Sequence, residues 1–187
     1  STIGSSTILI KDRVINRGNS PAPHMLLYHC NFGWPLVDEG AKLVWQGEWQ
    51  NPNGEPGRIF NNNNDFRKCP APVDEHSGTG EDVAFIDVQP GEDGTCVAGV
   101  HNPHLNMAVA LRFPKKQMPW LTNWQHWGKG EYVTGLEPGT NPPIGQAKAR
   151  TTDTLIQLEP GESREYSLEI EVLTNESSIK QFLDNHM

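Results

Sequence analysis

Residues 153–174 read DTLIQLEPGESREYSLEIEVLT, and this stretch decides the fold class. Apolar and polar residues alternate on both sides of Pro160-Gly161, and a period of two is that of a β-strand with one buried face. A Pro-Gly pair between two such runs is typical of a turn. The stretch therefore predicts two strands that form a hairpin around Pro160-Gly161.

The same strand rhythm recurs along most of the chain. Strand-like segments lie at residues 6–18, 82–103 (two strands around the turn PGEDG), 106–113 and 130–137. Eighteen Gly and fifteen Pro residues separate such segments, as is usual for all-β domains. One helix is predicted, over the tail NESSIKQFLDNHM, with Asn175 or Ser177 as its N-cap. We predict a single all-β domain over residues 1–187, a sandwich or barrel.

The composition argues against several classes of partner. The 187 residues carry a net charge of −8, whereas nucleic acids and anionic membranes require clustered cations. No apolar run is long enough to span a bilayer, and the start STIGSST shows no signal-peptide pattern. Cys30, Cys69 and Cys96 form no CxxC pair, so neither a disulfide framework nor a zinc ribbon is favoured. We expect a protein of the reducing cytoplasm.

Residues 51–82, NPNGEPGRIFNNNNDFRKCPAPVDEHSGTGED, break the strand rhythm. The segment is rich in Asn, Gly and Pro and has little periodicity, which predicts a long loop over the surface. Loops of this length inside a domain are often lids or partner contacts. An ordered loop without a function is the alternative.

A second informative segment is HMLLYHCNFGWPLVDEGAKLVW, residues 24–45. It predicts an apolar strand over Met25–Tyr28 that leads to His29, Asn31 and Trp34. An imidazole, an amide and an indole together suit a sugar site, because they can transfer a proton, bind hydroxyls and cover the apolar face of a pyranose. The alternative for His29 is a hydrogen-bonded histidine of the core.

A carboxylate stands near the end of the strand-like run in YVTGLEPGTNPPIGQ, residues 132–146. Because Pro138 follows Glu137, we expect the strand to lose its regular pairing there, with the side chain at the strand end. Strand ends and loops often carry functional residues. The alternative is a solvated carboxylate at the entrance of a loop.

LLYHCNFGWPLVDEGA and YVTGLEPGTNPP together resemble the His-containing and Glu-containing signatures of the aldose 1-epimerase (galactose mutarotase-like) proteins, and more closely those of the DUF4432 branch. The resemblance extends to DRVINRGNSPAPHMLLYH and LEPGESREYSLEIEVL. It implies a β-supersandwich, with His29 matching the general acid and Glu137 the general base that open and reclose the sugar ring. It implies no metal and no organic cofactor.

Other residues are candidates for sugar contacts. In MPWLTNWQHWGKG, residues 118–130, Trp124 is the candidate stacking platform, and a place in the core is its alternative. In HNPHLN, residues 101–106, His101 is a candidate polar contact to sugar. A metal bound by His101 and His104 is disfavoured because no further ligands are evident.

The chain also departs from the family it resembles. Family members are roughly twice as long, and the Arg and second His that their N-terminal half supplies have no matching position here. The family's Asp is not placed either, although Asp74, Glu75 and Asp87 are candidates. We therefore expect a sandwich that is incomplete at its N-terminus and associates with itself or with a complementary N-terminal chain, because a cut sheet exposes strand edges.

Three functions remain open from the sequence. The first is a mutarotase-type enzyme that acts on an aldose or a related sugar, by epimerisation, isomerisation or elimination. The second is a carbohydrate-binding module without catalysis. The third is a structural subunit of a larger sugar-processing complex, with the loop 51–82 in contact with a partner.

Overall fold

The computed structural model describes residues 2–74 and 81–187, in which twelve strands and two helices form. In chain order the elements are β1 Thr7–Ile15, β2 Ala22–His24, β3 Cys30–Gly33, β4 Lys42–Trp45, β5 Gly47–Gln50, β6 Glu81–Val88, β7 Thr95–Asn102, β8 Met107–Pro114, β9 Trp120–Gly128, β10 Glu131–Gly139, α1 Gln146–Thr151, β11 Ile156–Leu158, β12 Ser163–Leu173 and α2 Glu176–His186. The predicted all-β class is confirmed.

Most strands belong to two antiparallel five-stranded sheets. The first has the order β1-β12-β8-β7-β4 and the second has the order β3-β10-β9-β6-β5, while β2 and β11 form a short separate pair. Apolar side chains of both sheets pack against each other between them, among them Trp45, Leu111, Leu121, Leu136 and Leu168, all with no exposed surface. The fold is thus a sandwich around one main core.

Helix α2 covers the opposite face of the first sheet. Ile179 and Phe182 of α2 pack there with Val44, Ala110 and Leu173 of the sheet. The Oδ1 atom of Asn175 accepts a hydrogen bond from the Ser178 backbone N–H at 2.8 Å, so Asn175 is the N-cap, rather than Ser177, the other candidate. None of the helices within the described residues could cross a membrane.

Replacing Asn175 with Ala should lower the free energy of unfolding by about 1 kcal/mol, because the N-terminal N–H groups of α2 lose their side-chain acceptor. Urea unfolding should show a lower midpoint for this variant. Asn185→Ala, at an exposed position near the end of α2, is the matched control and should not lower the midpoint. Equal midpoints for the two variants would show that the cap does not stabilise the fold.

The predicted hairpin around Pro160-Gly161 is wrong, although the turn and both strands exist. Strand β11 pairs with β2, while β12 pairs with β1 and β8. The end of β1 is held against the turn, since the Asn16 N–H donates to the Glu162 carbonyl and the Gly161 N–H donates to the Asn16 carbonyl. All nine residues of β1 pair with β12, so this long ladder outweighs a local hairpin.

The structure confirms one further prediction of local structure and corrects another. Strands β6 and β7 flank the turn PGEDG as predicted, but they lie in different sheets, so this turn links the two layers. Helix α1 was missed, because six residues carry too little periodicity to be recognised. It is anchored by the buried side chain of Ala149.

Strand β1 forms one edge of the first sheet. Its Ile8 and Leu9 side chains are 53% and 48% exposed, which is unusual for large apolar residues on a long edge strand. Such an edge suits association with another chain or another copy. The expected association itself stays a prediction.

Candidate functional site

The second sheet carries a row of side chains on the face that points away from the core. Cross-strand neighbours point to the same face of a sheet, and Glu137 of β10 pairs with Thr122 of β9, which pairs with Phe85 of β6. The adjacent residues Leu121 and Leu136 point into the core instead. The alternation of each strand therefore separates a buried face from a functional face.

A second row lies beside the first on the same face. Asn31 of β3 pairs with Gly135 of β10, Gly135 pairs with Trp124 of β9, and Trp124 pairs with Val83 of β6. Glu137, Thr122 and Phe85 of the first row and Trp124 and Val83 of the second line a cleft of about 530 Å³, a volume in the range usual for small-molecule sites. The described residues that line the cleft are Leu27, His29, Pro52, Asn53, Val83, Phe85, Thr122, Trp124, Glu137, Pro143, Ile144 and Lys148.

The structure brings His29 and Glu137 together because Pro138 interrupts only one of the two ladders of β10. Pairing with β9 continues to Gly139, so the prediction that the strand ends at Glu137 is wrong. Pairing with β3 stops at Leu136 opposite Cys30. If the same register continued, His29 would lie opposite Glu137, but the regular pairing of β3 with β10 ends before this position.

The segment before His29 is irregular, which corrects the predicted strand over Met25–Tyr28. The segment still runs beside β10, as the Tyr28 N–H donates to the Pro138 carbonyl at 2.9 Å and Leu27 forms an isolated bridge with Gly139. Since Pro138 has no N–H to return, a regular ladder cannot form there. His29 is therefore held beside Glu137 by a few single contacts.

The Nε2 atom of His29 lies 3.0 Å from the Oε1 atom of Glu137. The His29 side chain is 52% exposed, whereas that of Glu137 is 3% exposed. The distance is that of an ion pair, but the imidazole N–H is not aligned on Oε1, which has no hydrogen-bond donor among the described residues. A buried carboxylate oxygen is thus left open to a proton from another group.

Burial raises the pKa of Glu137, and the nearby His29 opposes this shift. Burial has the larger effect on this pKa. The ionised carboxylate loses more solvation free energy on leaving water than it gains from the attraction of one partly exposed imidazole. A carboxylate with a raised pKa binds a proton more strongly. Glu137 is consequently a better base near neutral pH than an exposed glutamate would be.

Asn31 orients His29 from its other side. The Asn31 Oδ1 atom lies 2.8 Å from the His29 Nδ1 atom, and an amide oxygen there accepts the Nδ1–H. This contact fixes the ring so that Nε2 faces Glu137. Asn31 is hence placed to position the imidazole, whereas the sequence predicted a direct contact to sugar.

Gly135 provides the space that the Glu137 carboxylate occupies. A β-carbon built at Gly135 would lie 2.2 Å from Glu137 Oε1 and 3.3 Å from Asn31 Oδ1. Any side chain there would collide with the carboxylate or displace it. The glycine was not recognised from the sequence, because its necessity depends on a side chain two residues further along the same face.

Trp124 lines the cleft, as the sequence predicted for a stacking platform. Its ring centroid lies 6.2 Å from that of His29, and its Nε1–H donates to a carboxylate oxygen of Glu81 at 3.3 Å. The Trp124 residue is partly exposed. Its role in sugar binding stays a prediction.

Trp34 and His101 are not brought into this cleft. Trp34 is 79% exposed and does not line the cleft, and His101 lies on β7 in the other sheet. Burial lowers the pKa of His101, which disfavours a charged imidazole there. The sequence could not show this, because the residue types suit a sugar site at both positions, whereas the sheet order places His101 in the other layer and the chain exposes Trp34 beyond the end of β3.

None of the three candidates for the family's Asp is placed in the cleft by the described structure. Asp74 pairs with Lys129 on the surface, Asp87 pairs with Lys115, and Glu75 is outside the described residues. Neither Asp74 nor Asp87 lines the cleft. Within residues 2–74 and 81–187, no cluster of three or more His, Cys, Asp or Glu side chains is arranged to hold a metal ion.

Several residues of the cleft were missed from the sequence. Pro52 and Asn53 come from the segment 51–82, whose described part contains no helix or strand up to residue 74. Thr122 could have been found, since it is two residues from Trp124 in a strand. Lys148 belongs to α1, which was not predicted.

Comparison with solved structures shows the same fold. A candidate aldose 1-epimerase from Klebsiella pneumoniae superposes with a TM-score of 0.84 at 24% identity, over 97% of this chain and 47% of that chain. A galactose mutarotase-like protein from Clostridium acetobutylicum superposes with a TM-score of 0.58 at 14% identity, over 89% of this chain and 52% of that chain. The protein thus has the sandwich of the galactose mutarotase-like class, as predicted.

The profile of a domain of unknown function, DUF4432, matches residues 1–172. The chain belongs to the DUF4432 family. No protein with a curated function matches it. The chain spans about half the length of the mutarotase-like structures it resembles.

Proposed function

We propose that the protein is a mutarotase-type enzyme that interconverts the anomers of an aldose or a related sugar. One observation carries the proposal: an imidazole nitrogen and a buried carboxylate oxygen lie 3.0 Å apart at the floor of the cleft. The anomeric carbon of a cyclic sugar carries two oxygens, the hydroxyl and the ring oxygen. A base and an acid this close together can act on the hydroxyl oxygen and on the ring oxygen of the same carbon.

The proposed reaction uses both groups at once. The Glu137 carboxylate takes the proton of the anomeric hydroxyl, the C1–O bond to the ring oxygen breaks, and the C1 carbonyl forms. His29, as imidazolium, donates its Nε2 proton to the ring oxygen. After rotation about the C1–C2 bond, the same steps in reverse close the ring on the other face of C1. No atom or electron is gained or lost, so no co-substrate is needed.

The surroundings of the pair support a sugar ligand. Trp124 offers an aromatic face for the apolar side of a pyranose, and Thr122 and Asn53 offer polar groups for hydroxyls. Phe85 and Val83 supply the apolar part of the floor. Few polar groups on a mainly apolar floor are typical of small-molecule sites.

Glycoside hydrolysis is a weaker candidate for this cleft. Glycosidases generally use two carboxyl groups about 5–9.5 Å apart on either side of the scissile bond. Glu137 is the one acidic residue among the described residues that line the cleft. An imidazole–carboxylate pair in direct contact fits proton transfer to and from one carbon better.

The test is an anomer-exchange measurement by magnetisation-transfer NMR with galactose, glucose and related aldoses. The wild-type protein should accelerate exchange for at least one sugar. His29→Ala should lower kcat by about 10²–10⁴-fold, because the ring oxygen loses its proton donor. His29 is half exposed, so the variant should fold, and His104→Ala at an exposed turn is the control.

Two other outcomes would replace the proposal. Sugar binding that survives His29→Ala, without exchange by the wild type, would identify a binding module. Neither binding nor exchange with any sugar would leave a structural role within a larger complex.

A further inference from the structure

Among the described residues that line the cleft, Lys148 is the one ionisable residue that the proposed reaction does not use. Three of the described lining residues carry ionisable side chains, namely His29, Glu137 and Lys148. The first two contact each other. Lys148 forms no ion pair with a described carboxylate, and it therefore lies beyond ion-pair distance of Glu137.

The backbone at Lys148 is firmly held although its side chain is exposed. Its carbonyl accepts hydrogen bonds from the Thr152 N–H at 3.0 Å and from the Thr151 hydroxyl at 2.9 Å. The next residue, Ala149, is fully buried and its carbonyl accepts from the N–H groups of Thr154 and Leu155. The structure thus anchors α1 and keeps the Lys148 side chain beside the cleft.

Arg150 shows that not every cation of α1 faces the cleft. Helix α1, QAKART, contains Lys148 and Arg150 and no acidic residue in its first turn. Residues two apart point to different sides of a helix, and Arg150 does not line the cleft. Lys148 is thus the particular cation that the fold presents to a ligand.

The charge of the whole protein makes this placement informative. With a net charge of −8, the protein as a whole repels anions, so an ammonium beside the cleft that pairs with no described carboxylate is a local exception. A neutral sugar would use it for one hydrogen bond only. A carboxylate or phosphate would add the attraction between opposite charges to the hydrogen bond that the ammonium donates.

We propose that the preferred substrate is an anionic aldose, whose carboxylate or phosphate group binds Lys148 while its anomeric centre lies at His29 and Glu137. The proposal rests on the mutarotase function proposed above. The anionic group must be separate from the anomeric carbon, since Lys148 does not contact Glu137. Hexuronates and hexose 6-phosphates both meet this requirement.

The experiment compares matched sugars: galactose with galacturonate, and glucose with glucuronate and with glucose 6-phosphate. The wild type should show a higher kcat/KM for one or both anionic sugars than for the neutral partner. Lys148→Met keeps the apolar stem of the side chain and removes the charge. It should lower kcat/KM for the anionic sugars about tenfold and change kcat/KM for the neutral sugars little. Added salt should raise the KM of the wild type for the anionic sugars. It should not raise the KM of Lys148→Met for the same sugars.

Arg150→Met is the matched control and should leave both values unchanged. The carboxylate and phosphate arms show which anion is preferred. Equal kcat/KM for neutral and anionic sugars, with no effect of Lys148→Met, would overturn the proposal while the mutarotase function stands.

Absence of exchange with every sugar would instead overturn the mutarotase function. Anion recognition is then judged by equilibrium titration of galacturonate and galactose into the wild type and Lys148→Met. Tighter binding of galacturonate that Lys148→Met removes would support anion recognition. Equal binding of the two sugars, or binding of neither, would overturn it.

Discussion

Glu137→Gln is expected to lower kcat for anomer exchange by about 10²–10⁴-fold, because an amide cannot take the proton of the anomeric hydroxyl. The replacement keeps the shape of the side chain, so a sugar should still bind and KM should change little. Magnetisation-transfer NMR on the preferred aldose measures kcat, and a titration measures binding. Unchanged exchange would remove Glu137 from the proposed mechanism.

The same variant is expected to be more stable than the wild type at neutral pH. Burial raises the folded-state pKa of Glu137 above the usual value for glutamate of about 4.3. The folded protein then binds this proton more tightly than the unfolded chain, so stability falls as the pH rises from that value through the folded pKa. Above this window the ionised group destabilises the fold, and Gln avoids the cost.

Thermal unfolding at several pH values measures this effect. Glu137→Gln should raise the melting temperature by a few degrees at neutral pH, and the gain should shrink as the pH approaches 4 because both states are then protonated. Glu165→Gln, at an exposed position of β12, is the control and should show no such gain. A gain that did not depend on pH would point to packing rather than to ionisation.

Gly135→Ala is expected to lower kcat by about 10²-fold, although residue 135 would not itself touch the sugar. The added β-carbon would lie 2.2 Å from Glu137 Oε1, so the carboxylate must move, and a shift of about 1 Å in a catalytic group can cost that factor. Its effect on kcat should exceed its effect on KM, as the cleft walls are unchanged. Anomer-exchange rates at saturating sugar measure it.

Gly33→Ala is the matched control for this variant. Gly33 lies on the neighbouring strand β3, and a β-carbon there would meet its nearest atom at an ordinary 3.7 Å. It should therefore keep nearly full activity. Should Gly135→Ala unfold, the double variant with Glu137→Asp tests the same contact, because the shorter acid relieves the collision and should restore stability. Full activity of Gly135→Ala would show that the carboxylate position is not critical.

The strand pattern allowed the fold class to be predicted, because burial of one face imposes a period of two wherever a strand lies. It also allowed the cap of α2 to be predicted, since a capping contact spans only three residues. The hairpin at Pro160-Gly161 could not be judged in the same way. Its strands have equally suitable partners in β1, β2 and β8, and the pairing depends on ladders between distant parts of the chain, such as the ladder between β1 and β12, whose paired residues are about 150 positions apart.

The site shows the same division. His29, Glu137 and Trp124 were proposed from their residue types and from a family resemblance, and the structure brings these three to one cleft. Trp34 and His101 were proposed on similar grounds and lie elsewhere. Residue type indicates what a side chain can do, whereas the sheet order decides which side chains meet.

By itself the sequence determined the all-β class and the chemical groups available for proton transfer, because alternation and residue type are local properties. Only the tertiary structure decided that Pro138 interrupts one ladder and not the other, so that His29 meets Glu137, that Gly135 leaves room for the carboxylate, and that α1 brings Lys148 to the same cleft. The physical reason is that each of these contacts joins chain segments through sheet register and packing, which no single segment encodes.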